Sequence, residues 1–250
     1  MAVVFSRSGR AVSATTSGAS HDGRYIDSYG CPVGVGWPYD RSETLADGVI
    51  HVIGLGLAFI AAIGLIVFTY GSTRTFETAS VVVYAFCLIT MLGLSAAYNM
   101  WPISPRKWWL RRLDHSAIFL FIAATYTPLI AQTSPRTSGF IFLMALWLVA
   151  VAGVLLKCFW PGRFDRLSIA LCLCLGGSGL FAYDWFATSL PRSTLWLIAI
   201  GAGLYTVGVA FHLWERLRFQ NVIWHGFVLA AAGCHYAAIL NCIAPAASSA

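Results

Sequence analysis

Four short strings in this 250-residue chain set chemically capable side chains at helical spacing. Glu43, Asp47 and His51 stand four residues apart and so form one stripe along a helix. Ser95 and Asn99 repeat that spacing, as do Asn221 and His225. Asp114, His115 and Ser116 are consecutive. Carboxylates, imidazoles and hydroxyls brought together can move protons, and imidazoles with carboxylates can hold a transition metal. Each string sits at the margin of a long apolar run. Ionisable groups in such places are costly, which makes each a functional candidate by default.

The elements that must position them follow from composition. Apolar residues make up 58% of the chain and charged residues 10%, against about 25% charged in a soluble domain. Mean hydropathy is +0.73. These values fit neither an ordinary soluble enzyme nor a disordered chain. The formal charge is +6, yet the 16 Lys and Arg are spread between apolar runs. That spacing suits a membrane protein and no nucleic-acid partner.

A bilayer core about 30 Å thick needs about 20 apolar residues per helix. Seven segments qualify: 49–70, 78–99, 113–132, 139–159, 167–187, 193–214 and 222–243. The expected fold is an all-α, polytopic seven-helix bundle, since unpaired backbone is not tolerated in lipid. Thirteen basic residues fall on one side of these spans, and only Arg74, Arg136 and Arg192 on the other. This places the N-terminus in the cytoplasm. Trp101, Trp108, Trp109, Trp160, Trp214 and Trp224 mark the same interface. Residues 1–42, rich in Ser, Gly, Ala and Thr, read as a disordered cytoplasmic tail, with an organelle transit peptide as the other reading. Residues 43–243 form the membrane domain and 244–250 a short tail.

In this topology spans 1, 2, 3 and 7 bring their polar strings to one shallow layer under the cytoplasmic face. Simpler roles compete. The helix dipole alone accounts for Glu43 and Asp47. Asp114 can be an N-cap paired with Arg111 or Arg112. His212 reads as a wet interfacial residue. His235 lies about 15 Å deeper than His225, which suits an interhelical hydrogen bond. Glu77 and Asp184 read as interfacial at the far end. The small-residue runs Gly176–Gly177, Gly201–Gly203 and Ala230–Gly233 read as sites of close helix contact. The seven cysteines contain no CxxC pair and read as packing residues.

These strings, with Leu113-Asp114-His115-Ser116 and Thr125-Tyr126-Thr127-Pro128 at their centre, closely resemble the hemolysin III family, relatives of the adiponectin and progestin receptors. The resemblance runs from Glu43 to about Leu240. It implies a zinc site near the cytoplasmic face, with ligand positions at Asn99, Asn221 and His225. Ser95 and Asp114 stand beside that site. Two of the three expected imidazoles are therefore amides here. An amide oxygen suits harder cations than zinc, so the first expectation is no tight zinc. Three arrangements stay open: a metal-free hydrogen-bonded cluster, another ion with Asp114 as ligand, or His51 or His115 supplying the missing nitrogen.

The resemblance implies a multi-pass protein of a bacterial inner membrane whose partners are the lipid bilayer and a lipid substrate or ligand. The leading functional expectation is a membrane-sensing or homeostasis protein with a degenerate metal site. The alternatives are a zinc-dependent amidohydrolase of ceramide-like lipids, with Asp114 and Ser95 catalytic, and a pore-forming cytolysin or channel. Polar groups crowd one end of the bundle, which argues against a permanent channel.

Overall fold

The structure, a computed structural model, describes residues 39–70, 75–133, 136–160, 164–214 and 216–247. Among these residues there are helices and no strands. The long helices are α1 (Arg41–Thr69), α2 (Thr75–Met100), α3 (Pro105–Ala131), α4 (Arg136–Phe159), α7 (Arg192–Leu213) and α8 (Gln220–Ala247). Each is long and apolar enough to cross a bilayer. The expected fifth span is broken. It consists of α5 (Asp165–Gly177), a 3₁₀ turn (Ser178–Leu180) and α6 (Tyr183–Ser189), bent by 53°. Counted as one crossing, it brings the total to seven. The chain is a multi-pass, all-α membrane protein.

Helices α1 and α3 begin well before the expected spans, and the reason is capping. Asp40 accepts from the Glu43 amide while the Glu43 carboxylate accepts from the Asp40 amide, a complete capping box. Ser104 caps α3 just ahead of Pro105. Hydropathy marks only the part of a helix that lies in lipid, so the added polar turns escaped it. Asp114 is consequently not an N-cap. It lies more than two turns inside α3. The tail expected for residues 1–42 falls outside the described residues up to residue 38, and Arg41 and Ser42 belong to α1. At the other end α8 runs on to Ala247.

Consecutive helices pack side by side, and α8 closes back onto α1. Helix α3 is the axis of the bundle, touching α2, α4, α5 and α8. Its residues Phe119, Phe121, Ala123 and Ala124 are buried, and it is the most enclosed of the crossings. Helix α1 instead turns Val52, Ile60 and Val67 outward, as a lipid-facing helix should. Gly201 confirms one expected close contact: a Cβ there would lie 2.4 Å from the His235 ring. Gly176 and Gly177 do not, since a Cβ on either would meet nothing within 4 Å. They mark the break in the fifth crossing. There the Tyr126 hydroxyl donates to the Gly176 carbonyl (2.6 Å) and accepts from the Gly179 amide (3.0 Å), so α3 satisfies backbone groups that the break sets loose.

Helices α1, α3, α5 and α8 start, and α2, α4 and α7 finish, at one end of the bundle. Arg106, Arg111, Arg112, Lys157, Arg166 and Arg218 gather there, and it is called the basic end below. Trp101, Trp109, Trp160 and Trp214 are exposed around it, as an interfacial aromatic belt requires.

Candidate functional site

The first polar turn of α1 is fastened to the start of α8. Glu43 Oε1 accepts the Phe219 amide at 2.8 Å. Phe219 has φ of 58°, so this bond holds an unfavourable turn that delivers Asn221 and His225 to α1. One turn further along α1 is Asp47. Its Oδ1 lies 2.6 Å from His225 Nδ1, and its Oδ2 accepts from Asn221 Nδ2 at 3.2 Å. His51, the third residue of the stripe, places Nε2 3.5 Å from Asp47 Oδ2. The His51 and His225 rings are 4.5 Å apart.

Helix α2 supplies the next side. Ser95 Oγ lies 3.4 Å from His225 Nε2. Asn99 donates from Nδ2 to the Ser95 carbonyl (2.9 Å), and its Oδ1 accepts from Asn221 (2.8 Å). The end of α2 is held by Lys107 of α3, whose Nζ donates to the carbonyls of Tyr98, Asn99 and Trp101. A cation on the carbonyl end of a helix is favourable, and three acceptors satisfy all three ammonium protons. Asp114 of α3 stands against Ser95, within electrostatic reach of His51 and Asp47. Glu43, Asp47, His51, Ser95, Asp114 and His225 are all less than a tenth exposed.

Four of the expected helices therefore do meet, and nearly all the expected residues share one cluster. His115 is the exception. It lies edge-on to Tyr98, 4.0 Å from Asp114, on the side toward Arg111, Lys157 and Asp165. Sequence reasoning missed Lys107 as the cap of α2, and Asp165, which pairs with Arg111 (2.7 Å) and Lys157 (2.6 Å). Spacing carries no signal for either. His235 reaches across to α7, with Nε2 3.4 Å from the Ile198 carbonyl. His212, expected to be wet, buries Nδ1 and packs on Trp224. Glu77, expected at the interface, is buried.

One donor atom each from Asp47, His51 and His225 lies within 4.8 Å of the other two. Two imidazoles and a carboxylate are a good donor set for a transition ion and leave a coordination position open. His51 Nε2 is buried without a hydrogen-bond partner, a costly state that a ligand would relieve. Donors on a tetrahedral ion sit about 3.4 Å apart. The 2.6 Å contact between Asp47 and His225 is a hydrogen bond instead, and it must open or become the outer support of His225 Nε2. Asn99 and Asn221 bond each other rather than offering oxygens to an ion. The site can thus hold a metal through two nitrogens, from His51 of α1 and His225 of α8, and the Asp47 carboxylate. Beside His51, Ser95 and His225 lies a cavity of about 20 Å³, enough for one water.

A polytopic helical bundle with a buried His–Asp cluster under its basic end defines a membrane protein with a candidate metal centre. The sequence pattern of the family described as Haemolysin-III related matches residues 39–236, and the chain belongs to that family. It is 30% identical over 198 residues to the hemolysin-3 homolog of Bacillus subtilis (strain 168), covering 79% of this chain and 93% of the relative. The hemolysin-3 of Bacillus cereus is 30% identical over 206 residues, 82% of this chain and 94% of that protein. The human monocyte to macrophage differentiation factor is 26% identical over 179 residues, 67% of this chain and 72% of its own length.

Proposed function

We propose that this chain is a membrane-sensing or homeostasis protein of a bacterial inner membrane, with its N-terminus in the cytoplasm and a zinc ion held by Asp47, His51 and His225. The observation that carries this reading is the enclosure of the cluster. Its groups bond one another across α1, α2 and α8 with α3 behind, and the adjoining cavity of about 20 Å³ has room for a water but not for a lipid headgroup. A buried polar lock of this kind responds to changes in how the helices tilt against one another, and bilayer thickness sets that tilt. The expected result is that the full chain, expressed in a bacterial host without its own relative, changes the lipid order reported by a fluorescent membrane probe. Asp47→Asn, inserted to the same level, abolishes that change. Equal lipid order with and without the wild-type chain overturns the reading.

A second reading, a zinc-dependent amidohydrolase of ceramide-like lipids, is favoured by Ser95 and Asp114 beside the donor set. Bound zinc supplies a water of lowered pKa and polarises the amide carbonyl. Asp114 would take the proton of that water and pass it to the departing amine as the C–N bond breaks, and Ser95 Oγ would donate to the developing oxyanion. Release of fatty acid from a labelled ceramide by the purified protein with Zn²⁺, lost in Asp114→Asn, supports it. No release at full zinc occupancy sinks it.

A further inference from the structure

Two small cavities flank the cluster, and their walls do not overlap. The outer one, about 10 Å³, is lined by Glu43, Thr44, Asp47, Asn99, Met100 and Asn221, with Tyr39 and Phe219 at its edge. Thr44 and Met100 are exposed, so it opens at the surface of the basic end. The inner one touches His51, Ser95 and His225 but neither amide. Between them lies a continuous chain of hydrogen bonds across three helices. Asn99 of α2 donates to the Ser95 carbonyl, Asn221 of α8 donates to Asn99, and Asn221 also donates to Asp47 of α1.

We infer that the Asn99–Asn221 amide pair is a plug that controls the passage of a divalent cation between the surface and the buried His51–His225 site. This rests on the metal reading above. The remaining walls of the inner cavity, among them Gly54, Met91, Leu92 and Val228, are apolar. A hydrated cation crossing them would lose its water with nothing in exchange. The outer cavity has two carboxylates in its wall, Glu43 and Asp47, oxygens that a cation can meet on the way in. His51 Nε2, buried and without a hydrogen-bond partner, waits behind the plug. To swing aside, Asn99 must release the Ser95 carbonyl and Asn221 must release Asn99, so the plug opens only when these bonds break together. Two imidazoles in their place would be ligands; two amides close the route without holding the ion.

The test measures exchange in the full-length protein in detergent, loaded with one equivalent of Zn²⁺. Zinc uptake, and zinc release to excess EDTA, are followed with a metal-sensitive dye. Asn99 touches no member of the donor set, so Asn99→Ser opens the route without altering the ligands. It is expected to speed uptake and release alike by about tenfold, the scale of one lost hydrogen bond, and to leave the Kd unchanged. Asn99→Gln keeps the amide and crowds the route, and is expected to slow both rates; it decides the matter if Asn99→Ser does not fold. Unchanged rates in fully loaded variants, or a weaker Kd with unchanged uptake, overturn the plug and leave the metal reading standing. A wild type that retains no zinc overturns both.

Discussion

Two ionic clusters sit at the same end of the bundle and differ in what they leave unsatisfied. On α3, α4 and α5, Asp165 takes Arg111 and Lys157 at 2.7 and 2.6 Å, and its side chain is 36% exposed. One half-exposed carboxylate is shared by two largely buried cations, and each cation has its partner. On α1, α2 and α8 the carboxylate and imidazoles are buried beneath a half-buried amide pair, and one imidazole nitrogen makes no hydrogen bond, only a 3.5 Å approach to Asp47. The first arrangement is a staple between helices. The second is a set of donors with one valence open. Burial combined with an unmet donor, more than charge itself, distinguishes a site from a brace.

This contrast is exposed most directly at Asp47. Asp47→Ala strands His225 Nδ1 and Asn221 in a buried setting, and it is expected to cost about 3 kcal/mol. Thermal unfolding in detergent, with and without Zn²⁺, reads that loss. Next comes His51. His51→Leu removes an atom that has no hydrogen bond to lose, so the stability of the metal-free protein is expected to stay level or rise. The same change is expected to abolish the stabilisation by Zn²⁺. In the wild type that stabilisation is about 2.7 kcal/mol at a hundredfold excess over Kd, and EDTA reverses it. A wild type indifferent to both additions would make the two clusters equals. In the staple, Asp165→Asn is expected to cost about 1–2 kcal/mol, since the buried Lys157 ammonium loses its counter-charge but keeps an amide oxygen to bond. Smallest of all, Arg218→Ala is expected to leave the melting temperature unchanged, since its contact with Asp40 is exposed on both sides.

Much of the site was legible because its residues repeat at four-residue intervals. That spacing alone put Glu43, Asp47 and His51 on one stripe, Asn221 with His225, and Ser95 with Asn99. Basic-residue asymmetry then brought the strings to one depth. What periodicity cannot report is rotation between helices. Whether His51 or His115 would face His225 depends on how α1 and α3 turn toward α8, and only the three-dimensional packing separates them. Long-range pairs were hidden for the same reason, since Asp165 and Arg111 are 54 residues apart. Hydropathy is also blind to direction. It read 167–187 as one crossing because α5 and α6 are both apolar, and the glycines that break it looked like packing glycines.

The hydroxyl of Tyr126 carries a consequence for that break. A bend inside a single helix is ordinarily a property of its own residues. Here a carbonyl and an amide where α5 passes into the 3₁₀ turn, just before the bend, are both tied to an atom of α3, so the end of α5 is positioned by its neighbour. A sequence change that never touches α5 can therefore shift its end. Loss of one oxygen in Tyr126→Phe leaves the Gly176 carbonyl and the Gly179 amide without their shared partner, and the end of α5 must rearrange to satisfy them. The end of one membrane helix is thus placed through a single atom of another.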